Sequence, residues 1–386
     1  MAKDFDLVII GAGFAGLSCA RTAALRGLRV AVLDSKPEPG ARVRTTGILV
    51  KEATDDFDVP ASLTRKIRGV RLYAPDRRAL DLSAPGYYFQ ATDTPELLRW
   101  MAAEAQLAGA KLMFGARFDS AEETRGGIYL PAFDIRASFL IGADGARSRV
   151  AEHFRLGRNR RFLVGTEIEC EPIPVADPRF LHCFADSRLA PGYIGWIVPG
   201  HGATQIGIAA RHYRKPDLAA LVTRAKAMLG VKRLHITGRR SGLIPTGGPV
   251  SPLGRGRVLL IGDAAGLVSP LTGGGIHTAL SFGRRAAQIV TDYLCDRGIR
   301  PEIALAREIP RYRLKRLLRA GLDLAPPNPL INAALMTGPV RAMAQRIYFH
   351  RRAGDQQTFE EWSTAFARDD MAPLGTAPEG PKLRCV

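Results

Sequence analysis

Gly11, Gly13 and Gly16 form a GxGxxG spacing, and Asp34 stands 23 positions after Gly11. Residues of these types at these intervals can bind a dinucleotide. The first glycine makes a tight turn, the second lets the backbone approach a pyrophosphate, and the third lets a helix pack on the preceding strand. The start of that helix turns unsatisfied N–H groups toward the phosphates. A carboxylate about twenty residues on accepts from ribose hydroxyls, and its charge opposes a 2′-phosphate. Glycines alone could do no more than pack a helix on a strand. The acid, and the order strand, turn, helix, strand, favour the nucleotide.

Two later segments extend the chemistry. Gly142-Ala143-Asp144-Gly145-Ala146-Arg147-Ser148 follows one apolar run, and Gly262-Asp263-Ala264-Ala265-Gly266 follows another. The second continues through Pro270 to Gly273-Gly274-Gly275-Ile276. An acid at such a strand end can hold the hydroxyls of a ribityl chain. The glycines let backbone N–H groups approach a flat ring, and a helix start stabilises negative charge there. A reduced flavin carries that charge near N1. A single Gly-Asp turn is usually only a turn, but three such elements in this order point to FAD.

These residues need particular elements to hold them. Leu7 to Ile10 reads as a buried parallel strand, Leu17 to Arg26 as a helix closed by Gly27, and Leu28 to Leu33 as the next strand. Pro95 to Ala108 reads as a helix and Ala110 to Phe114 as a strand, and Phe139 to Ile141 leads into the Asp144 turn. From Gly165 to Arg211 strands follow one another without helices, as in an antiparallel sheet. Asp217 to Leu229 reads as a helix, Val258 to Ile261 as a buried strand and Ile276 to Leu294 as a helix. The expected fold class is α/β with an α+β insert: a Rossmann-type FAD-binding domain, an inserted antiparallel-sheet substrate domain and a C-terminal helical segment. The expected boundaries are 1–70, 91–164 and 250–300 for the FAD-binding domain and 71–90 with 165–249 for the substrate domain. A basic helical segment over 301–368 and a loose tail over 369–386 complete the chain.

Composition narrows the setting. The 386 residues carry 55 Lys and Arg against 37 Asp and Glu, a net +18 that favours an anionic partner. The five cysteines form no CxxC pair, so neither a disulfide framework nor a zinc site is expected. His182, His201, His212 and His277 show no metal spacing. No apolar run reaches the roughly 18–20 residues of a membrane span, and the first residues lack a signal-peptide layout. The expectation is a cytoplasmic protein, soluble or peripheral at the inner face of the membrane.

On these motifs the chain resembles the glutathione-reductase-type FAD superfamily, in its p-hydroxybenzoate hydroxylase-like branch. Within that branch it is similar to the geranylgeranyl reductase family, over about residues 4 to 295. The likeness rests on GDAAGLVSPLTGGGIHTAL from Gly262, on the Gly142 to Ser148 segment, and on Arg240-Ser241-Gly242-Leu243-Ile244-Pro245. It implies that Ala15 and Asp34 contact the ADP half and that Thr45, Thr46 and Ile48 lie along the flavin. It further implies that Asp263 holds the ribityl chain, with Gly275 and Ile276 beside the ring. The chain departs from the family at three places. Thr45-Thr46 stands where the reductases carry Cys-Gly, and Gln90 replaces an arginine that contacts FAD. The aromatic motif YxWxFP becomes Ile194-Gly195-Trp196-Ile197-Val198-Pro199, with Tyr193 one place early.

No second GxGxxG unit follows, so electrons must come from NAD(P)H docking transiently or from another donor. The first expectation is a reductase that delivers hydride from flavin N5 to a double bond of a hydrophobic, isoprenoid or lipid-like substrate. Tyr193 and Trp196 would then line the pocket wall, although a tryptophan there equally suits an ordinary core. A flavin monooxygenase on the same fold is the alternative. A halogenase fits poorly, because the chain lacks the first tryptophan of WxWxIP. A third reading is a basic membrane-surface protein with structural FAD. Between Pro301 and Arg352 there are ten Lys or Arg and three Asp or Glu, interleaved with leucines. A solvated helix packed on the flavin domain accounts for that segment too. Nucleic acid is not expected as a partner, since no recognised module accompanies the charge. The oligomeric state and catalytic residues are not legible.

Overall fold

The computed structural model describes residues 3–175 and 177–349. The strand Lys3–Ile10 runs through the middle of an eight-stranded sheet, and Leu7, Val8 and Ile9 are fully buried. Val30–Asp34 lies parallel on one side and Ile135–Gly142 on the other. Lys111–Phe114 extends the sheet beyond the first of these, and Val258–Leu260 extends it beyond the second. The register matters more than the strand count. Ile10 stands opposite both Leu33 and Gly142, and Gly142 stands opposite Leu260. Gly11, Asp34, Ala143 and Gly262 therefore leave the sheet along one carboxyl edge. Open α/β sheets bind ligands there.

Two long helices cover one face of this sheet against each other. In Phe14–Leu25 and Ile276–Leu294 the contact is tight enough that a Cβ on Gly283 would collide with the Ala15 carbonyl. Ser18 Oγ donates to the Leu280 carbonyl across the same seam at 2.7 Å.

The second sheet has seven strands. Their order is Ile236–Pro245, Phe162–Cys170, Thr204–Arg211, Gly195–Pro199, Phe180–Phe184, Gly69–Tyr73 and Ala79–Ser83. Its pairings are antiparallel except one, since Gly69–Tyr73 joins Phe180–Phe184 in parallel. The segment expected as 71–90 does not stay with this sheet throughout. Phe89–Thr92 pairs instead with Ile48–Val50 and Thr64–Ile67 in a small third sheet. Strands of three to five residues separated by prolines give too little periodicity to assign a sheet from sequence.

The two faces of the seven-stranded sheet differ. Ile168, Cys170, Phe184, Ile206 and Ile208 pack under the helix Leu218–Leu229. Val70, Leu72, Leu181, Cys183 and Val198 face inward, toward Phe89 and Ala91 of the third sheet and Leu335 and Phe349 of the C-terminal helices.

The C-terminal helices span Pro301–Glu308, Arg313–Asp323, Asn328–Leu335 and Gly338–Phe349. The rest of the expected 301–368 segment and the 369–386 tail lie outside the described residues. The Arg313–Asp323 helix has an unexpected orientation. Leu314 and Leu317 are 68% and 70% exposed, whereas Arg319 is 2% exposed. Arg319 is held by Asp323 and by donation to the Gly192 carbonyl.

Candidate functional site

The three glycines occupy distinct environments. A Cβ on Gly11 (φ +111°) would collide with the Ala143 carbonyl, and one on Gly16 with the Gly11 carbonyl. Both positions are glycine because backbone passes against backbone. Nothing lies within 4 Å of a Cβ built on Gly13. That open space, at the mouth of the helix Phe14–Leu25, is where a pyrophosphate can approach. Asp34 is buried beside it. Its Oδ2 accepts from Ala12 N–H at 2.7 Å and its Oδ1 from Lys36 N–H at 2.8 Å. Each oxygen keeps a second lone pair for a ribose hydroxyl. Ala15 packs against the turn of the Gly262 motif, with 2.8 Å from its Cβ to a Cβ built on Gly262.

The helix starts separate into two kinds. Asp93, Ser148 and Asp217 each cap a helix by accepting a backbone N–H three residues on. Phe14–Leu25 and Ile276–Leu294 begin at Gly13 and Gly275 with no side-chain cap and no acid in the first turn. Their first N–H groups lack a side-chain acceptor, and both sit at glycines of the cofactor motifs. A glycine in the cap position costs about a few tenths of a kcal/mol relative to a good side-chain cap. Lys51–Asp56, Pro301–Glu308, Arg313–Asp323 and Asn328–Leu335 also start without a side-chain cap; Phe14–Leu25 and Ile276–Leu294 differ in opening at motif glycines, where an anion can serve as the cap.

Asp263 and Asp144 end similar strands but differ in surroundings. Asp144 accepts from Ser148 Oγ at 2.6 Å and from the N–H groups of Arg149 and Val150. It thus organises the start of the helix Arg149–His153. The Asp263 carboxylate has no such partner. Burial alone pushes its pKa up to about 6 from an ordinary 3.8. It lies 3.5 Å from a Cβ built on Gly275, so it faces the uncapped start of Ile276–Leu294. Asn159 ties the two motifs together by donating to the Ala146 and Asp263 carbonyls. Between them, the loop through Pro270 closes by Ser269 N–H donating to the Gly274 carbonyl at 2.9 Å, with Gly273 at φ +66°.

Gln90 lies on Phe89–Thr92, opposite Leu49 and Lys66. Its Oε1 is buried and receives no donor among the described residues. This oxygen, the unpartnered Asp263 carboxylate and the space over Gly13 together fit a bound group that has phosphates, hydroxyls and N–H donors. FAD has all three. Asp34, Gly13 and the first turn of Phe14–Leu25 would hold its ADP half, and Asp263, Gly275 and Ile276 its flavin half.

Thr45, Thr46 and Ile48 are anchored from two directions. Gly47, at φ +79°, passes so close to Thr92 and Thr94 that a side chain would collide with both hydroxyls. Ile48 then pairs with Ala91. From the seven-stranded sheet, Arg240 donates to the Thr45 carbonyl at 3.0 Å, and Thr46 Oγ1 donates to Glu167 Oε2 at 2.7 Å. Glu167 was not anticipated from the sequence. It is buried, and its Oε2 also accepts from Trp196 Nε1 at 2.7 Å, while Oε1 lies 3.1 Å from Arg240 Nε. Burial raises its carboxyl, opposed first by Arg240 and then by the Thr46 and Trp196 hydrogen bonds. The signal was faint: two acids, Glu167 and Glu169, on the face of Phe162–Cys170 opposite Ile168 and Cys170.

Tyr193 reaches the cofactor loop directly, donating through its hydroxyl to the Thr272 carbonyl beside Gly273. Tyr193 thus contacts that loop, and Trp196 is linked through Glu167 to Thr46. His277 does not join them; its Nε2 lies 3.0 Å from Asp56 Oδ2 at the surface. Among the described residues no cluster of His, Cys, Asp and Glu could hold a metal ion.

Comparison with known proteins agrees with this geometry. The FAD binding domain family matches residues 4–290. A geranylgeranyl diphosphate reductase of Rhodobacter capsulatus is 29% identical over 318 residues, covering 78% of this chain and 79% of that protein. A digeranylgeranylglycerophospholipid reductase of Methanothrix thermoacetophila is 28% identical, over 74% of this chain and 78% of that protein. The fold resembles a crystal structure of a geranylgeranyl bacteriochlorophyll reductase-like protein from Thermoplasma acidophilum, with a TM-score of 0.76 at 21% identity. That superposition covers 95% of this chain and 99% of the other. The chain belongs to the FAD binding domain family and is an FAD-dependent oxidoreductase, geranylgeranyl reductase-like.

Proposed function

We propose that this oxidoreductase reduces a double bond of a hydrophobic, isoprenoid or lipid-like substrate. The observation that carries the reading is the contact between the cofactor loop and an apolar wall. Tyr193 meets Thr272, and from there the inner face of the sheet continues through Trp196, Cys183, Leu181 and Val198, roofed by Leu335 and Phe349. The part of this wall left accessible is its rim, where Ile48, Ile194 and Trp196 are only partly buried, and each CH₂ of a methyl-branched alkene moved from water to it contributes about 0.8 kcal/mol. The names of the two reductases above support the same substrate class.

When bound, reduced FAD would supply hydride to one alkene carbon, with water or a nearby acid supplying the proton to the other. The protein's part is to hold and to exclude. Gly13 and the two helix starts at motif glycines bind anionic groups, the Gly273–Gly275 backbone admits a flat ring, and the inner wall excludes water. NAD(P)H or another donor acting transiently would reduce the flavin, since the chain carries one dinucleotide motif.

The test is anaerobic reduction of the purified protein followed by a prenyl alcohol such as geranylgeraniol. Reoxidation with a product two mass units heavier per double bond supports the reading. Reoxidation only by oxygen, with a product one oxygen heavier, replaces it with a monooxygenase.

A second observation extends the proposal to a peripheral membrane site. Leu314, Leu317, Leu324 and Leu330 are exposed on the C-terminal helices next to Arg313 and Arg316. Apolar tips among cations suit an anionic bilayer surface. No helix among the described residues is long and apolar enough to cross a membrane, so attachment would be superficial.

A further inference from the structure

The seven-stranded sheet places one row of residues side by side on its inner face. Arg240, Glu167, Gly207, Trp196 and Cys183 are consecutive partners across five strands. In a pleated sheet such partners share a face. Gly207 has no side chain because the Trp196 indole lies where a Cβ would be. The indole therefore crosses a whole strand, flat on the sheet, and ends with Nε1 bonded to Glu167 Oε2 at 2.7 Å. The same oxygen accepts from Thr46 Oγ1 at 2.7 Å, across 121 residues of sequence. Arg240 holds Glu167 Oε1 at 3.1 Å and also binds the Thr45 carbonyl and Glu169.

We propose that Glu167 is a positioning residue: its one carboxylate sets the Thr46 segment and the Trp196 indole in register, so that the substrate wall and the flavin-side loop are placed together. This deepens the proposed reading of the site, because it takes Thr45–Thr46 as the flavin side and the sheet as the substrate wall. It also gives Trp196 a role that an ordinary core tryptophan lacks. A core indole is held by packing on all sides. This one is held at its tip by a charge, over a glycine that leaves it room. A buried carboxylate oxygen that accepts from two donors, with a guanidinium paired to its other oxygen, holds those partners in one arrangement, since the charge is costly to leave unpaired.

The geometry gives each variant a separate expectation. Glu167→Gln keeps an oxygen for Thr46 and Trp196 but turns an amide toward Arg240, so it should retain most function. Glu167→Ala frees both partners. Trp196→Phe removes one partner and leaves Thr46 bound.

The test uses the FAD-loaded enzyme in a Trp100→Phe, Trp362→Phe background, where Trp196 is the only indole. Glu167→Ala should shorten the rotational correlation time of Trp196 and raise its acrylamide quenching at least threefold, with Glu167→Gln close to the parent. In geranylgeraniol-dependent reoxidation, Glu167→Ala and Trp196→Phe should each slow the rate at least tenfold. The double variant should be no slower than the worse single one, because residues acting as one unit are not additive. Unchanged Trp196 mobility in Glu167→Ala would overturn the proposal, as would multiplicative losses in the double variant. Should Glu167→Ala fail to fold, Glu167→Leu, which fills the site without bonding either partner, takes its place in both measurements. A wrong substrate class would show differently: the parent would not be reoxidised by the prenyl alcohol, and the fluorescence result would still decide the role of Glu167.

Discussion

The cofactor cleft and the inner sheet wall face each other through Tyr193, yet they are built from different materials. The cleft is mostly backbone: glycines at Gly11, Gly13 and Gly16, a glycine loop at Gly273 to Gly275, and two helix starts left without caps. The wall is mostly side chain: an apolar surface with an ionic cluster of buried Glu167 and half-buried Glu169 and Arg240. Backbone N–H groups are present whatever the side chain, proline excepted. Side-chain clusters can be altered by a single residue. A backbone-built cleft suits a group whose form does not vary, and a side-chain wall is where a single residue can change what is accepted. The Tyr193–Trp196 segment lies on the wall, Thr46 is joined to it through Glu167, and Gln90 lies in the small sheet.

The sharpest way to break the comparison is to put side chains on the glycines. Gly11→Ala forces a Cβ against the Ala143 carbonyl at a positive φ, so it should cost stability, about 2–4 kcal/mol from strain and displaced backbone. Its melting temperature should fall even without FAD. Gly13→Ala meets no atom within 4 Å, at φ −90° and ψ −173°. The apoprotein should melt as the parent does, while FAD affinity falls tenfold or more, about 1.4 kcal/mol. Equal melting losses in both variants would mean that the space over Gly13 is not reserved for a ligand.

Asp263 separates stability from function by pH. Its folded pKa of about 6 stands above the ordinary 3.8, so the apoprotein holds this proton more tightly than the unfolded chain does. The resulting stabilisation is full below pH 4 and is lost as pH rises through 6. At pH 7.5 the buried carboxylate costs at most about 3 kcal/mol. Asp263→Asn should therefore raise the apoprotein's melting temperature at pH 7.5, leave it unchanged near pH 4, and weaken FAD binding. An unaltered FAD affinity, read from the flavin absorbance retained after gel filtration, would remove Asp263 from the site.

What the sequence revealed follows the same division. The glycine motifs and the helix Ile276–Leu294 were legible because their signals are local: a turn, a cap or a period within one segment. Asp34 was legible because a βαβ unit keeps its distance from Gly11 nearly constant. Glu167 was not, because its partners Thr46, Trp196 and Arg240 come from three other segments that only the sheet register brings together. The parallel entry of Gly69–Tyr73 was hidden for a related reason, since a five-residue strand carries no mark of the direction in which it will pair. The Arg313–Asp323 helix was misleading in a different way. Its leucines and arginines alternate as in any amphipathic helix, but the inward side is set by Asp323 and the Gly192 carbonyl, which together bury Arg319.

That inverted helix supplies the smallest expected effect and the one that bears on where the wall is filled. Arg319 lies 5.9 Å from the centre of the Tyr193 ring, so the helix that shows Leu314 and Leu317 to solvent also backs the residue that touches the cofactor loop. A substrate entering from a bilayer would then arrive beside the wall. Leu314→Ser with Leu317→Ser removes apolar surface that nothing in the described structure covers, so folding stability should change by less than about 0.5 kcal/mol. Flotation on vesicles containing anionic lipid should fall about tenfold, since partial insertion of two leucines contributes on the order of 1–2 kcal/mol. Turnover of a detergent-solubilised prenyl alcohol should stay near the parent rate, and turnover of the same alcohol in vesicles should drop. Equal flotation of the parent and the double variant at low salt would show that these leucines do not meet a membrane. The inverted helix would then be left with one task, holding Arg319 behind Tyr193.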